Sequence, residues 1–151
     1  MKAILFAGTL AALTGPAAAQ DIGMKDAGGI RWACGGAGVE ERAALAALRP
    51  QANLELLFVT AKRGGYLADV QVALYAADNS SPVLQVTAEG PMCMIAAPAG
   101  LYRVDAEYGG VKRSARVTAG PKAARVALAF PGEPWDGIKA SDEEKHQAGS
   151  Q

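Results

Sequence analysis

Histidine is almost missing from this chain. Of its 151 residues one is a histidine, His146. Without a second, zinc sites built on histidine lose their usual ligands, and His146 sits in a polar stretch away from every candidate nucleophile, so Ser-His-Asp and Cys-His relays have no base. Net charge is missing too, with 15 basic against 15 acidic side chains. That balance argues against a nucleic-acid binder or a polybasic membrane-surface protein. Beyond the first residues no apolar run is long enough to span a bilayer. A 3.6-residue period is lacking after Pro50, and no crossover helices separate the apolar runs there, which excludes a helical fold and a parallel α/β fold. Cysteine is limited to Cys34 and Cys93.

What is present begins with a leader. Met1-Lys2 precedes an apolar run from Ala3 to Leu13, then Gly15-Pro16 and Ala17-Ala18-Ala19. One positive charge, a short apolar core and an Ala-x-Ala end predict a secretory signal peptide over residues 1–19, and hence a periplasmic or secreted protein. No membrane insertion is expected after cleavage. An even cysteine count in an exported chain points to a Cys34–Cys93 disulfide; two separate buried thiols are the alternative, and a metal site lacks the paired spacing.

Residues 20–50 read as a Gly-rich lead-in followed by a short helix. Gln20 to Ala33 is polar and without period, with Ile30 and Trp32 as anchors. Cys34-Gly35-Gly36-Ala37-Gly38 is a glycine loop, either a tight turn beside the disulfide or a backbone cradle for an anion. The helix is expected over Val39–Leu48, with Glu40 and Glu41 in its first turn, Leu45 and Leu48 facing inward, and Pro50 ending it.

Residues 51–131 form the main domain. Seven strands are predicted, Asn53–Ala61, Tyr66–Ala76, Val83–Ala88, Met92–Ala96, Leu101–Tyr108, Val111–Thr118 and Lys122–Phe130, each followed by turn chemistry. In the first, Leu54, Leu56 and Phe58 alternate with partly apolar neighbours, which places it centrally. Gly109-Gly110 is a two-residue hairpin turn. Even spacing of short strands gives a mainly β fold, a seven-stranded antiparallel sandwich. Residues 132–151 read as a flexible tail in which Trp135 either folds back onto the domain or stands exposed for docking.

The pattern Pro98-x-Gly100-x-Tyr102-x-Val104, following Ala68-Asp69-Val70-x-Val72, resembles carboxypeptidase regulatory-like domains. The likeness spans residues 53–130, and Cys34 to Arg42 is similar to the glycine-rich opening of small exported bacterial proteins of this kind. The resemblance implies a prealbumin-like (transthyretin-like) β-sandwich with an accessory role. The histidines of transthyretin-like hydrolases are not matched here.

Function is therefore expected to be noncatalytic, with no cofactor and no metal: a recognition module for a protein or a glycan. The alternative is a structural protein that pairs or self-associates through an edge strand, and an exported hydrolase is a remote third. Adjacent Glu40 and Glu41 point different ways on a helix, and Asp105 and Glu107 share a wet strand face, so neither pair suits acid–base work. The candidate partner surface joins Gly35, Gly36, Gly38, Glu40, Glu41, Arg42 and Glu89, because a disulfide would bring the glycine loop beside the turn at Glu89-Gly90-Pro91. Pro98, Gly100 and Tyr102 are assigned a structural turn, with the tyrosine ring buried and its hydroxyl bonded nearby.

Overall fold

A computed structural model describes residues 22–77 and 79–132. The leader, Asp78, and the stretch with Trp135 and His146 lie outside the described residues. In chain order the elements are β1 (Lys25–Ala27), β2 (Ile30–Gly35), α1 (Val39–Ala46), a single 3-10 turn (Arg49–Gln51), β3 (Leu54–Thr60), β4 (Val70–Ala76), β5 (Leu84–Ala88), β6 (Met92–Ala96), β7 (Gly100–Tyr108), β8 (Val111–Ala119) and β9 (Ala124–Phe130). They build two open sheets, ordered β1-β2-β6-β3-β9 and β5-β4-β7-β8.

Alternation decides what lies between the sheets. Leu54, Leu56 and Phe58 of β3 point to the same interior as Val70, Val72 and Leu74 of β4. Tyr102, Val104 and Ala106 of β7 and Leu128 and Phe130 of β9 complete it. Each is buried because period-two patterning sends every second side chain to one face, and two such faces exclude water only by packing on each other. The fold is thus mainly β, with one helix and two sheets.

Two features differ from the sequence expectation. Nine strands occur among the described residues instead of seven, since residues 25–35, expected to be a lead-in to Ala33 and then the start of a glycine loop, form β1 and β2 on the first sheet. Gly28 and Gly29, at φ 60° and 86°, supply the positive angles of a two-residue hairpin turn. The strands around that turn are too short for their alternation to stand out. The pairing is also not wholly antiparallel: β3 and β9 run parallel, from Leu54 opposite Ala124 to Thr60 opposite Phe130. Alternation is blind to the direction of a neighbouring strand, so the pattern of Ala124–Phe130 was compatible with either.

Smaller differences sit at element ends. The helix stops at Ala46, and Pro50 is taken into the 3-10 turn that follows, as its fixed φ allows near a helix start. The strand expected from Tyr66 begins at Val70, because Asp69 adopts φ 60° and breaks the extended run. Tyr66 makes only an isolated bridge to Val59.

A second, smaller core lies on the outer side of the first sheet. There Leu45 of α1 is fully buried with Ala33, Met92 and Met94, flanked by Leu48 and Leu57. Strand β6 is consequently covered on both faces, Met92 and Met94 under the helix and Cys93 and Ile95 in the main core. At the far end Asn53 acts as a splice. Its side chain donates to the Ala97 carbonyl at 2.7 Å and accepts from the Ala97 amide at 3.0 Å, as a backbone partner would.

Tyr102 is 7% exposed, and its hydroxyl donates to the Pro98 carbonyl at 2.7 Å. Tyr102→Phe is expected to lose about 1 kcal/mol with that bond, and Tyr102→Ala about 3 kcal/mol with the ring. Urea unfolding of the two variants beside the parent protein measures both.

Candidate functional site

The expected glycine-loop surface is assembled by the β2–β6 pair. Cys34 and Cys93 are direct partners in its register, with Cα atoms 4.1 Å apart, and they are joined by a disulfide. The bond brings Gly35 against Gly90: a Cβ added at Gly90 would overlap the Gly35 backbone. The glycine loop, the start of α1 and the Glu89–Pro91 turn therefore meet at one place.

Its polar groups are largely used within the loop itself. Glu41 accepts a hydrogen bond from the Ala37 amide at 3.1 Å, and its carboxylate fills the space a side chain at Gly35 would need. Arg42 donates to the Gly36 carbonyl at 2.9 Å and to the Ala37 carbonyl at 3.2 Å. The Arg42 guanidinium also lies 5.1 Å from the centre of the Tyr66 ring, a residue absent from the sequence-derived set. Gly36 sits at φ 93°, a conformation suited to glycine. Gly38, Glu40 and Glu89 are exposed. This arrangement closes the turn before the helix and leaves few groups for a ligand.

More is on offer across the outer face of the second sheet. The register lays its outward side chains in rows over four strands. One row reads Thr87, Gln71, Glu107, Lys112, and the next reads Gln85, Ala73, Asp105, Ser114. Tyr75 and Arg103 are opposite one another in the row beyond. Ala73, the small residue in the middle row, forms the floor of a groove of about 360 Å³. Gln71, Gln85, Thr87, Asp105, Glu107 and Lys112 ring it.

The groove has fixed and free parts. The Arg103 guanidinium stacks 4.2 Å from the Tyr75 ring centre and holds it at the rim. Asp105 Oδ1 accepts from the Ser114 hydroxyl at 2.7 Å, and Arg103 Nε stands 3.2 Å from the same oxygen at ion-pair distance but without hydrogen-bond alignment. The side chains of Gln71, Gln85, Thr87, Glu107 and Lys112 make no hydrogen bond to any described residue. Their alternation was visible in the sequence. Which strands lie side by side was not, and without that the rows cannot be drawn.

A third cluster lies on the first sheet, where Glu55 receives Arg49 at 3.0 Å on each carboxylate oxygen and Arg125 at 3.1 Å. The Arg49 hydrogen bonds hold the Glu55 carboxyl below its usual value; burial opposes them, and Arg125 adds to the lowering. Both guanidiniums meet on this one carboxylate, so the cluster ties β3 and β9 to the turn after α1. No group of three or more His, Cys, Asp or Glu side chains placed to hold a metal occurs among the described residues. No helix among them is long and apolar enough to cross a membrane.

No protein-family model, curated protein or solved structure matches the chain.

Two outcomes follow from these packings. Gly90→Ala should cost about 1–3 kcal/mol, because the backbone it meets cannot swing aside. Gly38→Ser, in open space at an uncapped helix start, should be neutral or stabilising by a few tenths. Melting temperatures compare them. For Glu55, a lowered folded pKa means stability that is complete above the unfolded carboxyl value of about 4.3 and lost as pH falls through the folded one. Glu55→Gln should therefore be less stable than the parent protein at neutral pH, with the gap shrinking in acid; a gap independent of pH would show that charge is not what Glu55 contributes.

Proposed function

We propose that the chain is an exported, noncatalytic recognition module, a prealbumin-like sandwich similar to carboxypeptidase regulatory-like domains, working in the periplasm or outside the cell. The observation that carries this reading is the groove on the second sheet, where Gln71, Gln85, Thr87, Glu107 and Lys112 surround an alanine floor and make no side-chain hydrogen bond to any described residue. A rigid sheet that displays unpaired donors and acceptors around a concavity suits ligand recognition. The one carboxylate held in place there, Asp105, is engaged by Ser114 and Arg103, which suits a positioned hydrogen-bond acceptor more than a base. The Cys34–Cys93 disulfide fits an oxidising compartment.

Assembly through an edge strand is less well supported. Edges β1 and β5 are short, at three and five residues. Of the two longer edges, β8 carries Lys112, Arg113 and Arg116, and β9, at seven residues, carries Arg125 and has its Ala129 carbonyl taken by Arg113 at 2.9 Å across the gap between the sheets. Short and charged edges resist pairing with another chain.

The test compares two variants in a screen of soluble peptides and glycans. Ala73→Arg fills the groove floor, and the triple change Glu40→Ala, Glu41→Ala, Arg42→Ala strips the helix start. Ligand capture should fall at least tenfold with Ala73→Arg and persist in the triple variant, whose melting temperature alone should drop. Capture lost in the folded triple variant and kept in Ala73→Arg would move recognition to the glycine loop. A stable homo-oligomer that captures nothing would favour assembly instead.

A further inference from the structure

We infer that the groove on the β5-β4-β7-β8 face takes an uncharged oligosaccharide, an inference that rests on the recognition role above and names its ligand. Charge is the first argument. The charged lining residues are Asp105, Glu107 and Lys112; Arg103, beside the lining, lies at ion-pair distance from Asp105, and Glu107 stands directly opposite Lys112 in the register. A ligand of either sign meets both signs here, so the groove gives no charged molecule an advantage, while a neutral one loses nothing.

Hydrogen-bonding chemistry is the second. Gln71 and Gln85 each present an acceptor and two donors, Thr87 a hydroxyl, Glu107 acceptors and Lys112 donors. Adjacent hydroxyl groups on a sugar ring both donate and accept, and a mixed set of this kind satisfies them in pairs. A protein partner would have to desolvate the same side chains against its own fixed surface, at a cost of about 1–3 kcal/mol for each left unmet. It would also want the aromatic and apolar anchors that carry protein interfaces, and of the groove's apolar lining Val72, Val86 and Ala106 pack into the main core, which leaves Ala73 and the Tyr75 ring for that purpose.

Shape is the third. The groove crosses the face of the sheet over all four strands, edge strands β5 and β8 included, so a ligand lying along it runs across the strand direction and an extended peptide there adds no strand to an edge. Its volume of about 360 Å³ lies near the lower end of the range for small-ligand sites, roughly 300–1,000 Å³. Its lining spans four strands, which gives room for a chain of sugars and not only one. Tyr75, braced by Arg103, offers ring surface at the rim for the apolar face of a sugar.

The experiment is titration of the ¹⁵N-labelled protein with maltohexaose, cellohexaose, chitohexaose and mannohexaose, beside a polygalacturonate oligomer and a soluble peptide library. At least one neutral hexasaccharide should shift the amides of Gln71, Ala73, Gln85, Thr87, Asp105 and Glu107. Its affinity should hold within twofold as salt rises from about 0.05 to about 0.5 M, since nothing charged is being screened. Gln71→Ala and Gln85→Ala should each weaken it several-fold, and Ala73→Arg should abolish it with the fold retained. If none of the neutral oligosaccharides shifts the groove, the inference is wrong. Groove shifts caused only by the peptides or by polygalacturonate would also overturn it while leaving the recognition role standing. Shifts confined to residues outside the groove would overturn the placement of the site.

Discussion

The pairing of β2 with β6, closed by the Cys34–Cys93 bond, is the constraint on which the N-terminal third of the described chain depends. Strands β1 and β2 are short, and two-stranded ribbons of that length are marginal in water. A covalent link between partners 59 residues apart removes much of the freedom of the unfolded chain, on the order of 4 kcal/mol in the chain-entropy account. Once β2 is fixed, the loop after it must turn at Gly35 and Gly36, and α1 must lie over Met92 and Met94. The close approach of Gly35 and Gly90 follows from the same pairing, since a side chain at Gly90 would hold the turn and the strand apart.

This anchoring also makes the two outer faces of the sandwich unequal. On the first sheet the helix and the turn after it cover Met92, Met94 and Leu57, and the Arg49–Glu55–Arg125 cluster pairs its charges with one another beside a concavity of about 340 Å³. Among the described residues no element crosses the second sheet. The asymmetry is physical in origin: apolar outward residues on β6 required a cover, whereas Gln71, Gln85, Thr87 and Glu107 required none. The proposed ligand groove lies where the fold had no internal use for its side chains.

Much of the strand pattern could be read directly. Leu54, Leu56 and Phe58, Val70, Val72 and Leu74, and Tyr102, Val104 and Ala106 announce their buried face by period-two alternation, and the structure buries all of them. Met92–Ala96 has the bounds its flanking glycine and proline suggested. The tyrosine bond to Pro98 follows from the turn that precedes its strand. The glycine-rich segment before the helix hid two strands, because Gly28-Gly29 resembles any loop until Lys25 and Trp32 are seen to pair across it.

Local chemistry by itself determined the β class, the face each long strand buries, the helix start at Val39 and the two cysteines available for bonding. These are properties of neighbouring residues, set by alternation, turn residues and side-chain polarity. Tertiary structure decided the rest. The parallel partnership of β3 and β9, the second core beneath α1, the consumption of Glu41 and Arg42 inside their own loop, and the rows from Thr87 to Lys112 all depend on which distant strands become neighbours. Strand order is settled by how two apolar faces and their covers pack as a whole, and no single segment carries that information.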